Sequence, residues 1–314
     1  EMLLSDHPND CLTCEVNGEC ELQDLAYECG VTWPEQRGAC HAYEVNPDPN
    51  PFVFIDRNKC VLCGRCVRAC GEIQSRDVWS FASRGFKSKL VAGADEFMLD
   101  AGCESCGQCV GYCPAGALYD KMSLGIARAN KVKKVRTTCS YCGVGCTFDL
   151  NVRDGKIVRV TSGPDAPVNG MALCVKGRYG YDYVHHPDRL SRPLVRARWL
   201  DAKQLEGRLL SGEWQVAKVP GKDARRSALG ARRSAVSNQP SASGGRSPDR
   251  FIQVDWDTAL DLVARRFAEV KREWGGEAFA VFASAKCTNE ENYLFNKFTR
   301  QVLGTNNIDH CARL

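Results

Sequence analysis

The sequence predicts an α+β chain of several small modules. It is cysteine-rich over its first 190 or so residues and opens into α/β structure after residue 250. Three observations predict this. Nineteen cysteines stand among 314 residues, and fifteen of them fall in tight clusters before residue 175. Two four-cysteine runs repeat at an offset of 43 residues, Cys60 to Cys103 and Cys70 to Cys113, which marks an internal duplication. Beyond residue 250 the apolar pattern takes a helical period and is followed by a strand-sized apolar run.

Composition sets the class. A 44% hydrophobic and 25% charged content is that of an ordinary globular protein. No apolar run approaches the roughly 18 residues of a membrane span. Cysteines so close in sequence cannot all pair as disulfides without severe strain. No secretory signal opens the chain, so the spacing reads as metal ligation in a reducing, cytoplasmic compartment. Glu1 is not an initiator methionine, and the expectation is that further residues precede it. Residues 215–250 hold eight Lys/Arg and two Asp/Glu, more than the whole net excess of +4, so charge gives no footprint for a nucleic acid.

Five stretches follow in order. Residues 1–45 hold His7, Cys11, Cys14 and Cys20 and a short helical patch, Glu21–Glu28. Residues 46–131 open on a breaker cluster, Asn46-Pro-Asp-Pro-Asn-Pro51, and carry the duplicated cysteine runs. Residues 132–192 hold a fourth cysteine group. They also hold a hairpin in which Phe148, Leu150 and Val152 alternate, Asp154-Gly155 turns and Ile157–Val160 returns. Residues 193–250 read as a disordered linker or insertion, because Ser, Ala, Gly, Arg and Pro dominate from Gly221 to Pro248 and offer little apolar surface to offset ordering entropy. In 251–314, Trp256, Leu260, Val263, Phe267, Val270 and Trp274 make one helical face between a capping Asp255 and a terminating Gly275. Ala278–Ala285 reads as a buried strand, and a second helix follows at about Glu290–Leu303. Helix–strand–helix suggests the start of an α/β domain.

The cysteine spacing carries the chemistry. Cys60-x2-Cys63-x2-Cys66-x3-Cys70 and Cys103-x2-Cys106-x2-Cys109-x3-Cys113-Pro114 match the run of bacterial two-cluster ferredoxins. Three close thiolates take three irons of a cubane, and the displaced fourth reaches the other cluster. The expected ligand sets are therefore Cys60, Cys63, Cys66 and Cys113, and Cys103, Cys106, Cys109 and Cys70. Gly71 stands where the first run would have its proline. Zinc ribbons, the alternative, use two separated C-x2-C pairs. His7-x3-Cys11-x2-Cys14-x5-Cys20 offers four donors within fourteen residues, enough for a third 4Fe–4S cluster with an imidazole on one iron. Cys139-x2-Cys142-x3-Cys146 with the later Cys174 makes a fourth set, for which tetrahedral zinc is the rival and the neighbouring clusters favour 4Fe–4S. Lys176, two residues on, is either a solvated charge or an electron relay beside an anionic cluster. Cys29, Cys40, Cys287 and Cys311 lack partners at ligand spacing and read as ordinary thiols.

These motifs resemble a known family. His7-Pro-Asn-Asp-Cys-Leu-Thr-Cys14 with Gly18-Glu-Cys-Glu-Leu-Gln-Asp24 resembles the His/Cys3 module shared by the large cluster-bearing subunit of complex I, FeFe-hydrogenases and formate dehydrogenases. The ferredoxin-like module argues against complex I, and the absence of hydrogenase active-site motifs argues against a hydrogenase. Thr138-Cys-Ser-Tyr-Cys-Gly-Val-Gly-Cys146, Cys174-Val-Lys-Gly-Arg178, His185-His-Pro-Asp-Arg-Leu190 and Arg192-Pro-Leu194 are similar to molybdopterin oxidoreductases. Thr288–Tyr293 and Gly304–Leu314 resemble the formate dehydrogenase branch. The segment from about 197 to 250 departs from the family, which has a short connection there.

The resemblance implies an α+β multi-module fold: a two-cluster ferredoxin-like module, a small β-rich 4Fe–4S domain and the start of an α/β molybdopterin oxidoreductase domain. It implies formate oxidised to carbon dioxide, or the reverse, at a Mo or W ion held by bis-molybdopterin guanine dinucleotide. Electrons would pass through four 4Fe–4S clusters to a flavin- or iron–sulfur-containing diaphorase-like or hydrogenase-like subunit. In the family the lysine matching Lys176 bridges cluster and pterin, and a 2Fe–2S domain often lies upstream. A stand-alone polyferredoxin is the competing class, against which the 251–314 segment speaks.

In the family the motif matching His310-Cys-Ala-Arg-Leu314 is followed at once by the metal-ligating cysteine or selenocysteine and a histidine. The metal ligand is thus expected just after Leu314, absent from these residues, so that they alone would bind iron but oxidise no formate. Because UGA encodes selenocysteine, the codon after Leu314 is expected to be UGA, followed by a His codon and an open frame; any other codon there sinks the selenoprotein expectation.

Overall fold

A computed structural model describes residues 2–32, 34–36, 38–217 and 250–311. The chain forms two units. The first runs to His185 and takes in Ala285–Thr288; the second is the remainder from His186.

In the first unit, helix α1 (Met2–Ser5) precedes an irregular loop that carries Cys11, Cys14 and Cys20. Helix α2 (Glu21–Glu28) occupies the span its apolar pattern suggests, with Leu22 buried. The duplicated segment builds two antiparallel pairs. β1 (Val53–Ile55) pairs with β4 (Leu118–Asp120), and β2 (Trp79–Ala82) with β3 (Lys89–Ala92). Its two short helices, α3 (Arg65–Arg68) and α4 (Gln108–Gly111), begin on equivalent left-handed glycines, Gly64 (φ 71) and Gly107 (φ 73). Only a residue without Cβ takes that conformation at no cost, and each helix carries the third cysteine of its run, Cys66 or Cys109. α3 runs into a π-helical turn, Ala69–Ile73, which holds Cys70.

The core here is unusual in its chemistry. Val53, Ile55, Val78, Trp79, Leu90, Met98 and Leu118 pack with Cys66, Cys70 and Cys109 as one buried cluster. The thiols stand where a larger domain would place aliphatic side chains.

The Asn46–Pro51 breaker cluster turns inward. Asn50 is wholly buried: its side-chain oxygen accepts from the Phe52 and Val53 amides at 2.9 and 3.0 Å, and its amide donates to Ser105 Oγ at 3.0 Å. Asp48 accepts from the Asn50 and Met98 amides at 2.9 and 2.7 Å. These two side chains replace backbone pairing that prolines cannot supply.

The rest of the first unit is a three-stranded antiparallel sheet, β5 (Lys133–Thr138), β6 (Thr147–Arg153) and β7 (Lys156–Thr161), in that order. Asp154 and Gly155, both with positive φ (50 and 74), form the two-residue turn that the sequence announces. Phe148, Val160 and Leu173 bury against Cys139 and Cys146. Helix α5 (Val175–Tyr179) starts from Cys174.

Within the 193–250 stretch, read from the sequence as a linker or insertion, the described residues 194–217 contribute regular structure to the second unit. β8 (Leu194–Arg196), helix α6 (Ala202–Leu210), β9 (Gln215–Val216) and β10 (Phe251–Gln253) fold together, with β10 central in an antiparallel sheet. Trp214, Ile252 and Val254 are its buried centre, packed by Val195, Leu200, Leu205 and Leu209. Apolar anchors on both sides of the polar stretch supply the surface that the stretch lacks; residues 218–249, on which the disorder expectation chiefly rests, lie outside the described residues.

Helix α7 (Trp256–Trp274) has the expected bounds. The Asp255 side chain accepts from the Thr258 amide at 2.7 Å, and Gly275 (φ 75) ends it. Its apolar stripe forms, yet none of its residues is buried among the described ones. The strand expected over Ala278–Ala285 is shorter, β11 (Val281–Ser284), and not buried: Phe282 is 84% exposed. Gly276–Ala278 is taken by a 3-10 turn instead. Helix α8 (Asn289–Lys297) and a π-helical turn, Phe298–Leu303, lead to β12 (Ile308–Cys311), which pairs parallel with β11. Strand, helix and parallel strand make one βαβ crossover, as the α/β expectation requires.

Asn50→Ala strips two backbone donors and Ser105 of a buried partner. A loss of about 2–4 kcal/mol is expected, read as a lower denaturant midpoint with unchanged slope. A midpoint within error of wild type would deny Asn50 its organising role.

Candidate metal centres

The duplicated run places its eight thiols in two neighbourhoods. Burial, and then the charges of Cys113, Cys60 and Cys63, push the Cys66 thiol up to about 12. Burial pushes Cys60 up to about 11, with Cys113 and Cys63 again adding to the rise. The second neighbourhood joins the other repeat: after burial, Cys103 is raised by Cys106 and Cys70, and Cys106 by Cys70. Cys109, fully enclosed, is raised by burial and then by Cys106, Cys66 and Cys103, so the two neighbourhoods meet at Cys66 and Cys109. Cys113 thus keeps company with Cys60, Cys63 and Cys66, and Cys70 with Cys103 and Cys106.

Amide donors face these sulfurs. Ser105 N lies 3.3 Å from Cys103 Sγ, and Leu118 N lies 3.5 Å from Cys113 Sγ. Such donors favour the thiolate, which burial alone opposes. Among the described residues no cysteine is in a disulfide.

At the N-terminal group Cys14 and Cys20 are buried and Cys11 is exposed. Burial raises the Cys20 thiol, and the charges of Cys14 and Cys11 raise it further. His7 is 8% exposed and its Nε2 is buried with no hydrogen-bond partner. Burial lowers its pKa below the ordinary value, so the ring is neutral at pH 7, the form that ligates a metal. Asn9 N approaches Nδ1 at 3.4 Å, a long contact that ligation through Nε2 would give up to a proton on Nδ1. An orphaned buried imidazole nitrogen on the segment that carries Cys11, Cys14 and Cys20 has the chemistry of a mixed-ligand iron–sulfur cluster's histidine. Cys20 Sγ lies 3.6 Å from the Pro114 carbonyl, and Cys20, Leu22 and Ala115 pack together with Val61, which sets this group against the Cys60–Cys113 neighbourhood.

In the fourth group burial raises Cys139, as do the charges of Cys174 and Cys142, while Cys146 is raised by burial and by Cys139, Cys142 and Cys174. All four thiols are therefore neighbours. A 2.8 Å bond from Cys139 N to the Cys146 carbonyl closes their loop. A Cβ at Gly177 would come to 3.8 Å from Cys139 Sγ, so helix α5 lies against the group. Lys176 is exposed on that helix, and its carbonyl accepts from Gly180 N at 2.9 Å. Cys29 and Cys40 are exposed thiols apart from these groups, and the Cys311 side chain and Ala312–Leu314 lie outside the described residues. Among the described residues no three His, Cys, Asp or Glu side chains are placed to hold a single metal ion. A cubane asks for something else, one thiolate on each of several separate irons.

Two arginines had no role in the sequence reading: nothing in spacing marks Arg159, and Arg178 enters only as the last residue of the Cys174–Arg178 motif. Arg159, 5% exposed on β7, donates to Glu19 at 2.5 Å and to Tyr119 Oη at 2.8 Å. Burial alone would raise the Glu19 carboxyl, but Arg159 and Lys134 outweigh it and hold it below its ordinary value. This one guanidinium fastens the loop before Cys20, strand β4 and strand β7 together. The other is Arg178, 3% exposed on α5.

Residues 132–186 match the molybdopterin oxidoreductase Fe4S4 domain, and residues 189–314 match the family described as molybdopterin oxidoreductase. The chain carries iron–sulfur and molybdopterin oxidoreductase domains. Residues 1–34 match the iron–sulfur binding region of NADH-ubiquinone oxidoreductase-G, and residues 50–119 match the ferredoxin-like domain of NADH-quinone oxidoreductase subunit 3. The last match corrects one expectation: the ferredoxin-like module does not by itself separate this chain from complex I. A Staphylococcus haemolyticus protein named "Putative formate dehydrogenase" is 29% identical, covering 100% of this chain and 30% of that protein. "Probable oxidoreductase YjgC" of Bacillus subtilis is 28% identical, covering 100% of this chain and 31% of that protein. The chain thus spans about a third of the length of these relatives. A crystal structure of an NAD+-reducing NiFe-hydrogenase is 31% identical over 38% of this chain and 51% of that chain, with a TM-score of 0.34. No described helix is long and apolar enough to cross a membrane.

Anaerobic reconstitution is expected to load about 16 iron per chain and no stoichiometric zinc. One zinc with about 12 iron would remove the cubane at Cys139, Cys142, Cys146 and Cys174. His7→Ala is expected to alter one cluster spectrum and leave three; four unchanged spectra would show that His7 is no ligand.

Proposed function

We propose that the chain conducts electrons between a molybdopterin-bound Mo or W centre and a partner subunit of a formate dehydrogenase. The ligand sets are His7, Cys11, Cys14 and Cys20; Cys60, Cys63, Cys66 and Cys113; Cys70, Cys103, Cys106 and Cys109; and Cys139, Cys142, Cys146 and Cys174. When bound, such clusters supply one-electron carriers whose potential is set by ligand type, hydrogen bonds to sulfur and burial. The observation that carries the reading is the succession of neighbourhoods. α5 ties the fourth group to the group of Cys103 and Cys106, that group meets the next at Cys66 and Cys109, and Ala115 and Pro114 join the last to Cys20. A linear array of this kind moves electrons from one end to the other.

Formate as substrate rests on the names of the relatives and on the motifs at Thr288–Tyr293 and Gly304–Leu314. The acceptor is proposed to be a flavin- or iron–sulfur-containing subunit docking at the His7 end. The complex I matches favour a second reading, a cluster-bearing respiratory subunit without formate chemistry.

The complete protein is expected to reduce a viologen dye with formate and not with hydrogen. Dye reduction by hydrogen, or by neither, would overturn the formate reading. Lys176→Ala in that protein is expected to leave iron content intact and to slow formate-dependent cluster reduction about tenfold or more. Unaltered rates would make Lys176 a solvated surface charge.

A further inference from the structure

Arg178 is a buried cation that makes no direct ion pair among the described residues. Among the described residues no carboxylate lies within the 4.0 Å of an ion pair, its Nε has no partner, and its one hydrogen bond is a 3.4 Å contact to the Met171 carbonyl. A guanidinium so placed needs compensating negative charge nearby. Asp120, itself buried, senses it only across a longer gap.

The surroundings show where that charge belongs. A Cβ at Gly107 would fall 2.5 Å from Arg178 Cδ, and one at Gly111 would fall 2.8 Å from Nη2. The side chain therefore lies along the bare face of α4, between the residues that follow Cys106 and Cys109. Gly107 needs its left-handed backbone in any case, but Gly111 has no such need, and its missing side chain is room for the guanidinium. The same position in the first repeat, 43 residues earlier, is Arg68, which is exposed. Arg178 is also among the charges that act on Cys106. The second neighbourhood thus receives a buried cation from the helix that begins at Cys174, whereas at the matching position the first has the exposed Arg68, and its thiols face the half-buried Arg57 and Arg65 instead.

We infer that Arg178 is a positioning and tuning residue: its buried charge is a counter-ion of the cluster proposed at Cys70, Cys103, Cys106 and Cys109 and raises that cluster's reduction potential. The inference rests on the ligand reading above. Reduction adds one electron to the cluster with no bond made or broken, and the extra negative charge is stabilised by a cation held in low dielectric. A cation in solvent at Arg68 is screened and does less.

The test is a dithionite titration of the reconstituted full chain followed by electron paramagnetic resonance, with Cys106→Ser identifying the signal of this cluster. Arg178→Gln is expected to keep the iron content and to move that one signal to a more negative potential. Arg178→Lys should hold it near wild type, and Arg68→Gln should move its own cluster less. An unmoved potential in Arg178→Gln overturns the inference. So does an equal shift from Arg68→Gln, or iron loss in both Arg178→Gln and Arg178→Lys, which would mark a packing role. Failure of the ligand reading shows itself separately, as equal iron content in wild type and Cys106→Ser.

Discussion

The first unit depends on putting acidic sulfur where a small protein would ordinarily put hydrocarbon. Cys66, Cys70 and Cys109 belong to the same buried cluster as Val53, Ile55 and Met98. Burial drives the Cys66 and Cys109 thiols away from ionisation, and a metal cluster requires its thiols ionised. Everything around them offsets that conflict. Left-handed glycines set the loops, backbone amides face the sulfurs, and cations sit close by. Modules this short bury little apolar surface, so with the proposed clusters the binding of metal and the acquisition of structure would be one process rather than two.

The same constraint explains why the modules are fused instead of strung apart. A thiol group enclosed by its own short segment would lie partly in water, as Cys63, Cys142 and Cys174 do. Packing one module on another closes the exposed side. α5 covers part of the ferredoxin-like module with Tyr179, stacked on Phe52 at 4.8 Å, and Leu173 N reaches Gln108 Oε1 at 3.4 Å. Each contact between modules is therefore also a change in the dielectric around a sulfur.

Local features were legible in the sequence, and long-range ones were not. Cysteine spacing, the Asp154-Gly155 turn and the Asp255 and Gly275 ends of α7 are all written within a few residues, because turns and caps are decided by near neighbours. Asn46–Pro51 shows the limit. Its composition signals a break in regular structure, which is right, but not that Asn50 reaches across 55 residues to Ser105. Trp214 was hidden for a similar reason: its partners Val195 and Ile252 flank a stretch whose composition suggests no core. Arg159 looks like any other arginine in a chain that is 25% charged; Arg178 closes a motif, but only burial gives it a role of its own. The parallel partner of β11 was invisible because pairing across a helix leaves no periodic trace.

The tie made by Arg159 has a mechanical consequence. It holds Glu19, one residue before Cys20, and Tyr119, six residues after Cys113, to the sheet whose strands frame Cys139 and Cys146. Electrons cross between such centres by tunnelling, whose probability decays steeply with the width of the gap. Were the modules joined by flexible linkers, the gap would fluctuate and current would flow only in the rare close encounters. A charge pair clamped across three segments would restrain that breathing, so that in the proposed relay conduction would be a property of resting geometry rather than of thermal motion.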